Sequence, residues 1–354
     1  MMLPIMAQTE KYVINVVVHN PNEKIMEFND WGNAEGKQVE IVTGKEFWFE
    51  GELAKGSYPR SASLSFVNGP SRRGNLIILE PGTIQVTFDA KGIMSVSGTP
   101  ENENHDRINK VMREHQEASS SAFYNWQRAY NNKAPKEELE KWQVDVDKAR
   151  AIDREFALKL IRKNNNYAGL MLLNRSARNE TAKTLKPFMK QFKRFSESQP
   201  YKYMLSHYEA MTRCTDGAVV ENFTLPNPEG KMVSLSDFKG KWVILDFWYV
   251  DCHWCRKLAP NLKEIYQKYS DKLEIISISV DPEKDHQRWI KAIEEDGMTW
   301  TQVNDKSKKL MPEYFGVSGY PTLFLIDPKG RGVTMMVGYR ETGSLERTLN
   351  QYIK

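Results

Sequence analysis

The sequence predicts a multi-domain α+β protein in three parts: an N-terminal antiparallel β-sandwich, a central helical region and a C-terminal α/β domain. Three patterns carry this prediction. Apolar residues alternate with period two up to about residue 98, recur at helical spacing over residues 101–213, and lie in alternating strands and helices from residue 214 onward. A chain of 354 residues is also long enough for more than one domain of ordinary size.

We place the boundaries where the composition and the periodicity change. Residues 1–9 are predicted to be the remnant of a signal segment or disordered, residues 10–100 the β-sandwich, residues 101–213 the helical region and residues 214–354 the α/β domain. The sequence has no apolar run of the roughly 18 residues that a membrane-spanning helix needs. Its first residues look like the end of a longer signal, and we expect cleavage near Ala7.

The composition excludes several classes of function. A net charge of +4, on 27% charged residues of intermixed sign, provides no basic surface for nucleic acid or for an anionic membrane. Three cysteines in a chain of this length do not form a disulfide framework. Stability must therefore come from hydrophobic cores, for which 40% of hydrophobic residues is sufficient.

The N-terminal segment has the alternation of strands with one buried face. Apolar residues alternate from Tyr12 to Val18, and similar runs recur at 47–49, 64–67 and 84–88, separated by turn residues. Short strands at this spacing are typical of a small antiparallel sandwich or barrel. The segment contains no pair of nucleophile and base and no group of metal ligands, so we do not expect it to carry the chemistry.

The helical region is predicted to contain a hairpin of two long helices. Phe123, Trp126 and Tyr130 fit one face of the first helix, and the second begins at Pro135. The predicted apolar stripe of the second helix consists of Leu139, Trp142, Val146, Ala149, Ile152, Phe156 and Leu160. This stripe indicates packing within the monomer, and a coiled-coil contact in a homodimer is the alternative. We expect the region to space or dimerise the protein and to carry no chemistry.

The C-terminal segment is predicted to form a mixed sheet with helices on both faces. A β-α-β unit with parallel strands comes first, and an antiparallel pair and a last helix follow. The predicted strands are Trp242–Trp248, Leu273–Val280, Thr322–Asp327 and Gly332–Val337, after a hairpin over 222–235. The predicted helices are Cys252–Tyr269, Asp285–Glu295, Lys306–Phe315 and one that starts at Ser344.

Two of the three cysteines lie where the first of these strands meets its helix, in Cys252-His253-Trp254-Cys255. A helix N-terminus lowers a thiol pKa, and the thiolate is the species that attacks disulfides. We therefore predict a redox-active disulfide, with Cys252 as the exposed attacking sulfur and Cys255 as the buried resolving sulfur. A structural zinc site or two idle thiols are the alternatives, but zinc normally takes four ligands and no second ligand pair is present. No metal and no other cofactor are expected, and Cys214 is expected to be a free, non-catalytic thiol.

These residues resemble thioredoxin in combination. Asp246-Phe247-Trp248 precedes the dithiol, Pro260 follows it, and Tyr320-Pro321-Thr322 opens a later strand. The leading hairpin and the helical segment between Val280 and Tyr320 are similar to the TlpA/ResA branch of thiol-disulfide oxidoreductases, which is related to the AhpC/TSA peroxidases. Residues 10–210 are similar to a β-sandwich domain of unknown function, with a helical extension, that precedes such domains in envelope proteins of Gram-negative bacteria.

The resemblance implies an oxidoreductase that reduces, or less readily isomerises, disulfides in client proteins. Asp246 would accept the proton of Cys255, and Tyr320-Pro321 would form a cis-proline loop that pairs with a substrate strand and keeps metals off the sulfurs. The implied catalytic residues are Cys252, Cys255 and Asp246, and the implied substrate-binding residues are His253, Trp254, Tyr320 and Pro321.

The resemblance also implies partners and a location. Disulfide-containing client proteins would be the substrates, and a membrane-bound electron donor would restore the dithiol. The protein would work in the periplasm or cell envelope of a Gram-negative bacterium, without nucleic acid, and the helical region could join two copies as a homodimer.

Three residues depart from the family pattern. Leu258 stands where ResA-like proteins have a glutamate, which leaves the acid role to Asp246. Asp251 precedes the first cysteine, and its charge opposes a neighbouring thiolate, whereas an imidazolium at His253 would favour one. Trp254 replaces the usual proline, and we expect its exposed indole to form an apolar docking surface.

Two other functions remain as alternatives. A peroxiredoxin-related thiol peroxidase would need a proline and a threonine before its reactive cysteine, and the loop from Trp248 to Cys255 has neither in the matching positions. A non-enzymatic binding or copper-delivery module of this fold would use a Cys-x-x-x-Cys spacing, and here the spacing is one residue shorter.

Overall fold

The structure, a computed structural model, describes residues 8–20, 22–30, 36–67, 75–178, 180–306, 310 and 314–353. The chain divides into two compact units, and the helical region contributes to both. The first unit comprises Met1–Glu117, Glu155–Arg175 and Gln191–Tyr203, and the second comprises Ala118–Arg154, Ser176–Lys190 and Met204–Lys354. The three predicted segment boundaries stay predictions, and most of the expected signal remnant lies outside the described residues.

The first unit contains a β-sandwich. Its strands are β1 (Thr9–Val18), β2 (Ile25–Asp30), β3 (Lys37–Glu40), β4 (Glu46–Ala54), β5 (Arg60–Phe66), β6 (Asn75–Leu79), β7 (Gly82–Phe88) and β8 (Met94–Ser97). They form two four-stranded sheets in the orders β4-β1-β7-β8 and β3-β2-β5-β6. Alternate residues of both sheets share one apolar core, among them Ile14, Phe28, Leu64 and Val86, which confirms the predicted sandwich.

One pair of strands departs from the predicted antiparallel arrangement. β1 and β7 run parallel, with Ile14 opposite Ile84, while the other paired strands of both sheets are antiparallel. The chain reaches β7 from β6, which belongs to the other sheet, so no hairpin fixes the direction of β7 relative to β1.

The helices between the sandwich and the last sheet are α1 (Pro100–His115), α2 (Glu117–Asn131), α3 (Lys136–Lys163), α4 (Tyr167–Ser176), α5 (Ala182–Gln191) and α6 (Gln199–Cys214). The predicted stripe of α3 is partly wrong. Ile152 is 61% exposed, and the apolar residues that α3 buries toward its C-terminus are Ala157, Leu158 and Ile161. In a helix of 28 residues the heptad positions drift around the axis, so one stripe does not face one neighbour throughout.

The second unit contains the predicted mixed sheet. Its strands are β9 (Thr224–Pro226), β10 (Met232–Ser234), β11 (Trp242–Trp248), β12 (Leu273–Ser279), β13 (Thr301–Asn304), β14 (Thr322–Ile326) and β15 (Gly332–Val337). The helices that follow within it are α7 (His253–Tyr269), α8 (His286–Asp296) and α9 (Thr342–Leu349). β9 and β10 form the predicted hairpin, and the remaining strands form a five-stranded sheet in the order β13-β12-β11-β14-β15.

The sheet has a parallel half and an antiparallel half. β11, β12 and β13 run parallel, while β14 and β15 are antiparallel additions beside β11. The edge strand β13 was missed from the sequence because Val303 is its only strongly apolar residue. The predicted helix Lys306–Phe315 falls mainly on positions outside the described residues.

β11 is the central strand, and its side chains alternate between two buried faces. Ile244 and Trp248 join a cluster with the dithiol cysteines of the α7 region. Phe247 lies on the opposite face, where its ring centroid is 5.1 Å from that of Phe315. Among the described helices, none has the length and apolar character needed to cross a bilayer.

Candidate active site

The two predicted sulfurs are joined as a disulfide at the start of α7. Cys252 is the N-cap residue of that helix, and the backbone N–H of Cys255 donates a hydrogen bond to Cys252 Sγ at 3.1 Å. In the reduced protein this N–H group and the positive end of the helix dipole favour a thiolate on Cys252. Of the two sulfurs, Cys252 thus occupies the helix-capping position.

Cys252 is less accessible than the sequence suggests. We expected an exposed attacking sulfur, but the residue is only 5% exposed, close to the 4% of Cys255. Both belong to the hydrophobic cluster against which Tyr249, Tyr320 and Tyr339 pack. The aromatic side chains that converge on the site from distant positions are the physical reason for this difference, because no local pattern predicts them.

The charge of Asp251 is paired, which the sequence could not show. Arg288 at the start of α8 donates to Asp251 Oδ1 at 2.5 Å and to Asp285 Oδ1 at 3.2 Å. Both side chains of the Arg288–Asp251 pair are exposed, so water and salt weaken the interaction. The expected repulsion between Asp251 and a thiolate is therefore partly offset by a cation.

The loop between β11 and α7 is anchored by a buried carboxylate. Asp281, which follows β12, accepts hydrogen bonds from the Val250 N–H at 3.1 and 3.3 Å and from Ser279 Oγ at 2.7 Å. Burial raises the pKa of Asp281, and these hydrogen bonds lower it. Asp281 thus fixes the backbone two residues before Cys252. No sequence pattern indicated this role, because Asp281 follows a different strand and is far from the dithiol in the chain.

The Tyr320–Pro321 peptide bond is cis, as predicted. The ring of Tyr320 packs edge-on against Tyr249, with centroids 5.0 Å apart, and so joins the cis-proline loop to the dithiol loop. The Pro321 carbonyl already accepts a hydrogen bond from Gly338 N–H at 2.8 Å. That carbonyl is therefore occupied within the protein itself.

Asp246 lies in the middle of β11 and is 4% exposed. Because side chains of a strand alternate, it shares the face of Ile244 and Trp248, on which the dithiol cluster is built. Ser277 Oγ donates to Asp246 Oδ2 at 2.7 Å, while Oδ1 has no hydrogen-bond partner among the described residues. Burial raises the pKa of Asp246 to about 7, and the Ser277 hydrogen bond lowers it. A carboxyl group with this pKa can exchange a proton at neutral pH.

Leu258 is fully buried on α7, so the position that carries an acid in ResA-like proteins contributes only packing here. Asp246 is accordingly the carboxyl group on the dithiol face of β11.

Trp254 is exposed, as predicted, with 42% of its surface accessible. It belongs to a group of rings, here called the aromatic cluster, formed by Trp126, Tyr130, Trp254 and Tyr339. Trp254 lies 6.2 Å from Tyr130 and 5.6 Å from Tyr339 between ring centroids, and Trp126 lies 5.2 Å from Tyr130. His253 is exposed beside it and packs edge-on against Trp254 at 5.2 Å.

Two rings of the aromatic cluster come from the helical region, for which the sequence indicated no chemistry. Trp126 and Tyr130 belong to α2, and the Lys257 ammonium lies 6.0 Å from the Tyr130 ring centroid. Lys136 of α3 forms an ion pair with Glu264 of α7. The amphipathic pattern of α2 was visible in the sequence, but nothing local indicated that its aromatic face would meet the dithiol loop.

The third cysteine is free, as expected. Cys214 is free and buried at the end of α6, and its thiol donates to the Ala210 carbonyl at 3.0 Å. Burial raises its pKa to about 12, so the thiol stays protonated at neutral pH. Within the described ranges no group of three or more His, Cys, Asp or Glu side chains has the geometry to hold a metal ion.

Comparisons with known proteins agree with this geometry. The model of the AhpC/TSA family matches residues 217–332. The thiol-disulfide oxidoreductase ResA of Bacillus thuringiensis (strain Al Hakam) is 35% identical over 136 residues, which are 38% of this chain and 77% of that protein. ResA of Bacillus subtilis (strain 168) is 33% identical over 126 residues, 35% of this chain and 68% of that protein.

The chain is also similar to solved structures. The crystal structure of the thioredoxin domain of a thiol-disulfide oxidoreductase from Bacteroides vulgatus is 35% identical, with a TM-score of 0.35, and the match covers 39% of this chain and 97% of that one. A dithiol capping a helix beside a cis-proline loop, together with relatives one third identical over most of their length, shows that this chain belongs to the TlpA/ResA-like, thioredoxin-fold thiol-disulfide oxidoreductases.

Proposed function

We propose that this oxidoreductase works in the cell envelope and reduces disulfides in client proteins through Cys252 and Cys255. The observation that carries the proposal is the disulfide at the N-terminus of α7, on the same face of β11 as a buried carboxyl group with a pKa of about 7. A thiolate stabilised at a helix N-terminus and an acid that changes protonation near neutral pH are the two groups that a dithiol reductase needs.

The cycle begins with the reduced protein. The Cys252 thiolate attacks one sulfur of the client disulfide, and the other client sulfur leaves as a thiolate. Asp246 accepts the proton of Cys255, and the Cys255 thiolate then attacks Cys252 Sγ, which releases the second client sulfur. Two electrons pass to the client, and the protein is left with the Cys252–Cys255 disulfide that the structure contains.

A client segment would bind over the aromatic cluster and the cis-proline loop. Trp254 supplies exposed apolar surface directly beside Cys252, and Tyr130 and Tyr339 support its ring. His253 and the Tyr320-Pro321 segment would flank the client, with backbone groups other than the Pro321 carbonyl available to pair with it. Trp254→Ala should therefore raise the KM for a protein disulfide more than it slows reaction with a small disulfide.

The central experiment compares three serine variants in an insulin-reduction assay. Cys252→Ser should abolish turnover, because the attacking sulfur is lost, and Cys255→Ser should accumulate a mixed disulfide that mass spectrometry detects. Cys214→Ser is the matched control and should keep wild-type turnover, since that thiol is buried and protonated. Undiminished insulin reduction by Cys252→Ser would contradict the proposal.

The reduction potential of the Cys252–Cys255 couple decides the direction of electron flow. A value near that of thioredoxin, ~−270 mV, supports a reductase, whereas a value near that of DsbA, ~−120 mV, supports an oxidase. The proposal requires the first result.

The location and the partners complete the proposal. The protein would work in the periplasm or envelope, where a membrane-bound electron donor would restore the dithiol. The long helix α3 offers a surface for a homodimer. Fractionation of the native cell, with cross-linking of the reduced and oxidised protein, tests location and oligomeric state together.

A further inference from the structure

We propose that Ser277 and Trp300 are positioning residues that commit one oxygen of Asp246, Oδ1, to the proton of Cys255. This inference deepens the proposed function and rests on it, because it assigns how Asp246 performs its part in resolving the mixed disulfide. It arises from a chain of three buried side chains that lies within the described part of the second unit.

The chain of hydrogen bonds has a fixed direction. Trp300 Nε1 lies 2.8 Å from Ser277 Oγ, and an indole N–H can only donate. Ser277 Oγ therefore accepts from Trp300, and its own hydrogen points to Asp246 Oδ2, 2.7 Å away. All three residues are buried, and Ser277 is completely enclosed, so water does not compete for these hydrogen bonds.

The strand register places this chain on the face that carries the dithiol. Ser277 of β12 stands directly opposite Asp246 of β11, and Trp300 belongs to the same hydrophobic cluster as Cys252 and Cys255. Leu323, the neighbour of Asp246 on the other paired strand, is apolar. Asp246 is thus held by a hydroxyl from one side and by hydrocarbon from the other.

No charged side chain accompanies this chain of bonds. The elements packed around this face carry other titratable groups, among them Tyr266 and Tyr269 of α7, His286 of α8 and Glu346 of α9, and none of these is among the causes of the pKa shift of Asp246. Burial and the Ser277 hydrogen bond are the influences on the pKa of Asp246. The hydroxyl is therefore the polar group that adjusts the acidity of Asp246.

The two carboxyl oxygens acquire different roles as a result. Oδ2 is occupied by the Ser277 hydrogen, while Oδ1 has no partner among the described residues. In the resolving step the S–H bond of Cys255 breaks, an O–H bond forms at Oδ1, and the Cys255 thiolate attacks Cys252 Sγ as the client sulfur leaves. Ser277 stabilises the carboxylate form, which is the form able to accept the proton.

The test measures the protonation of Asp246 directly, by ¹³C NMR titration of the oxidised protein with labelled aspartate. Ser277→Ala should shift the midpoint upward by about one pH unit, because a hydrogen bond to the carboxylate is lost. Trp300→Phe frees the Ser277 hydroxyl to rotate and should give a smaller upward shift. Ser277→Thr keeps the hydroxyl and should restore a midpoint close to that of the wild type.

Ser279→Ala is the matched control. Ser279 lies on the same strand, is equally buried, and directs its hydroxyl to Asp281, so its removal should leave the Asp246 midpoint unchanged. An unshifted midpoint in Ser277→Ala, or an equal shift in Ser279→Ala, would overturn the inference. If Ser277→Ala does not fold, the Asp246 midpoint in Trp300→Phe is the test, and an unshifted midpoint there would overturn the inference.

The titration also separates this inference from the proposed function. If the Asp246 midpoint shifts in Ser277→Ala but the wild-type protein reduces no disulfide, the proposed function is refuted. The hydrogen bonds from Trp300 through Ser277 to Asp246 would still be supported. In an active protein, the pH profile of mixed-disulfide resolution should move with the Asp246 midpoint, while the profile of the first attack, followed in a Cys255→Ser background, should not.

Discussion

Two buried polar side chains, Asn102 in the first unit and Asp246 in the second, differ in how fully they are hydrogen-bonded. In the first, Asn102 at the start of α1 is completely enclosed, and both of its polar atoms are used: Nδ2 donates to the Ile78 carbonyl at 2.6 Å and to Thr99 Oγ1 at 2.9 Å, and Oδ1 accepts from the Ile78 N–H at 3.0 Å. In the second, Asp246 is equally enclosed, but Oδ1 has no partner within the described residues.

The difference between Asn102 and Asp246 distinguishes a structural polar group from one that can still accept a proton. Asn102 pairs with both backbone groups of Ile78 on the edge strand β6, and Glu80 accepts from the first free N–H groups of α1 at 2.8 and 3.1 Å. That network closes a sheet edge and a helix end, so its bonds are all committed to structure. The unmet bond of Asp246, by contrast, leaves Oδ1 on the dithiol face of β11 open to a proton.

The largest effect that this comparison predicts is on stability. The folded protein keeps the Asp246 proton up to a pKa of about 7, while the unfolded chain loses it near the ordinary aspartate pKa of 3.8. The folded state therefore binds more protons between these values, and the free energy of unfolding falls as pH rises from about 4 to about 7. Asp246→Asn should remove this dependence and stabilise the oxidised protein at pH 8 by up to about 4 kcal/mol.

Urea unfolding of both proteins at pH 4 and pH 8 measures this effect. The gain should be present at pH 8 and small at pH 4, where the wild-type carboxyl group is protonated in the folded state and close to half protonated in the unfolded chain. A gain of equal size at both pH values would show that packing, and not the charge, is responsible.

The second prediction concerns the rate of resolution. Asp246→Asn cannot accept the Cys255 proton, so release of the mixed disulfide at pH 7 should slow by about 100-fold, or about 2.7 kcal/mol in activation free energy. Single-turnover quenching with a labelled disulfide peptide measures this rate, and the preceding attack by Cys252 serves as the internal control. Resolution at the wild-type rate would assign the proton to another group.

The third prediction tests the structural network. Asn102→Ala leaves the N–H and C=O groups of Ile78 without their partner, which should destabilise the first unit by about 2 kcal/mol. The insulin-reduction rate of the folded protein should not change, since Asn102 belongs to the first unit and the dithiol to the second. A large loss of activity without a loss of stability would show that Asn102 contributes to the reaction and not only to the structure of the first unit.

The smallest effect is expected for the exposed ion pair. Arg288→Gln leaves the Asp251 charge without its cation and should slow alkylation of Cys252 in the reduced protein by less than about threefold at neutral pH. The difference should vanish in high salt, because exposed charges are screened. A tenfold slower alkylation that persists in high salt would contradict this prediction. It would show that Asp251 strongly affects the Cys252 thiolate although its side chain is exposed.

Much of the second unit could be predicted because its signals are local. A buried strand leading into Cys252-x-x-Cys255, an isolated charge at Asp246 and Pro321 before an apolar strand each depend on a few adjacent residues. The sequence also predicted the sandwich strands, whose alternation follows from one buried face. Edge strand β13 and the exposed Ile152 escaped prediction because short polar strands and long helices carry weak or drifting patterns.

The sequence by itself determined where the parts of the candidate site lie in the chain: the two cysteines of the disulfide, the helix that Cys252 caps and the buried carboxyl group of Asp246. Only the tertiary structure decided how their chemistry is controlled. The contacts of Ser277 and Trp300 with Asp246, of Arg288 with Asp251 and of Tyr130 with Trp254 join residues far apart in the chain. The reason is physical: reactivity resides in groups that neighbouring residues identify, whereas burial and hydrogen-bond partners exist only after distant segments have packed together.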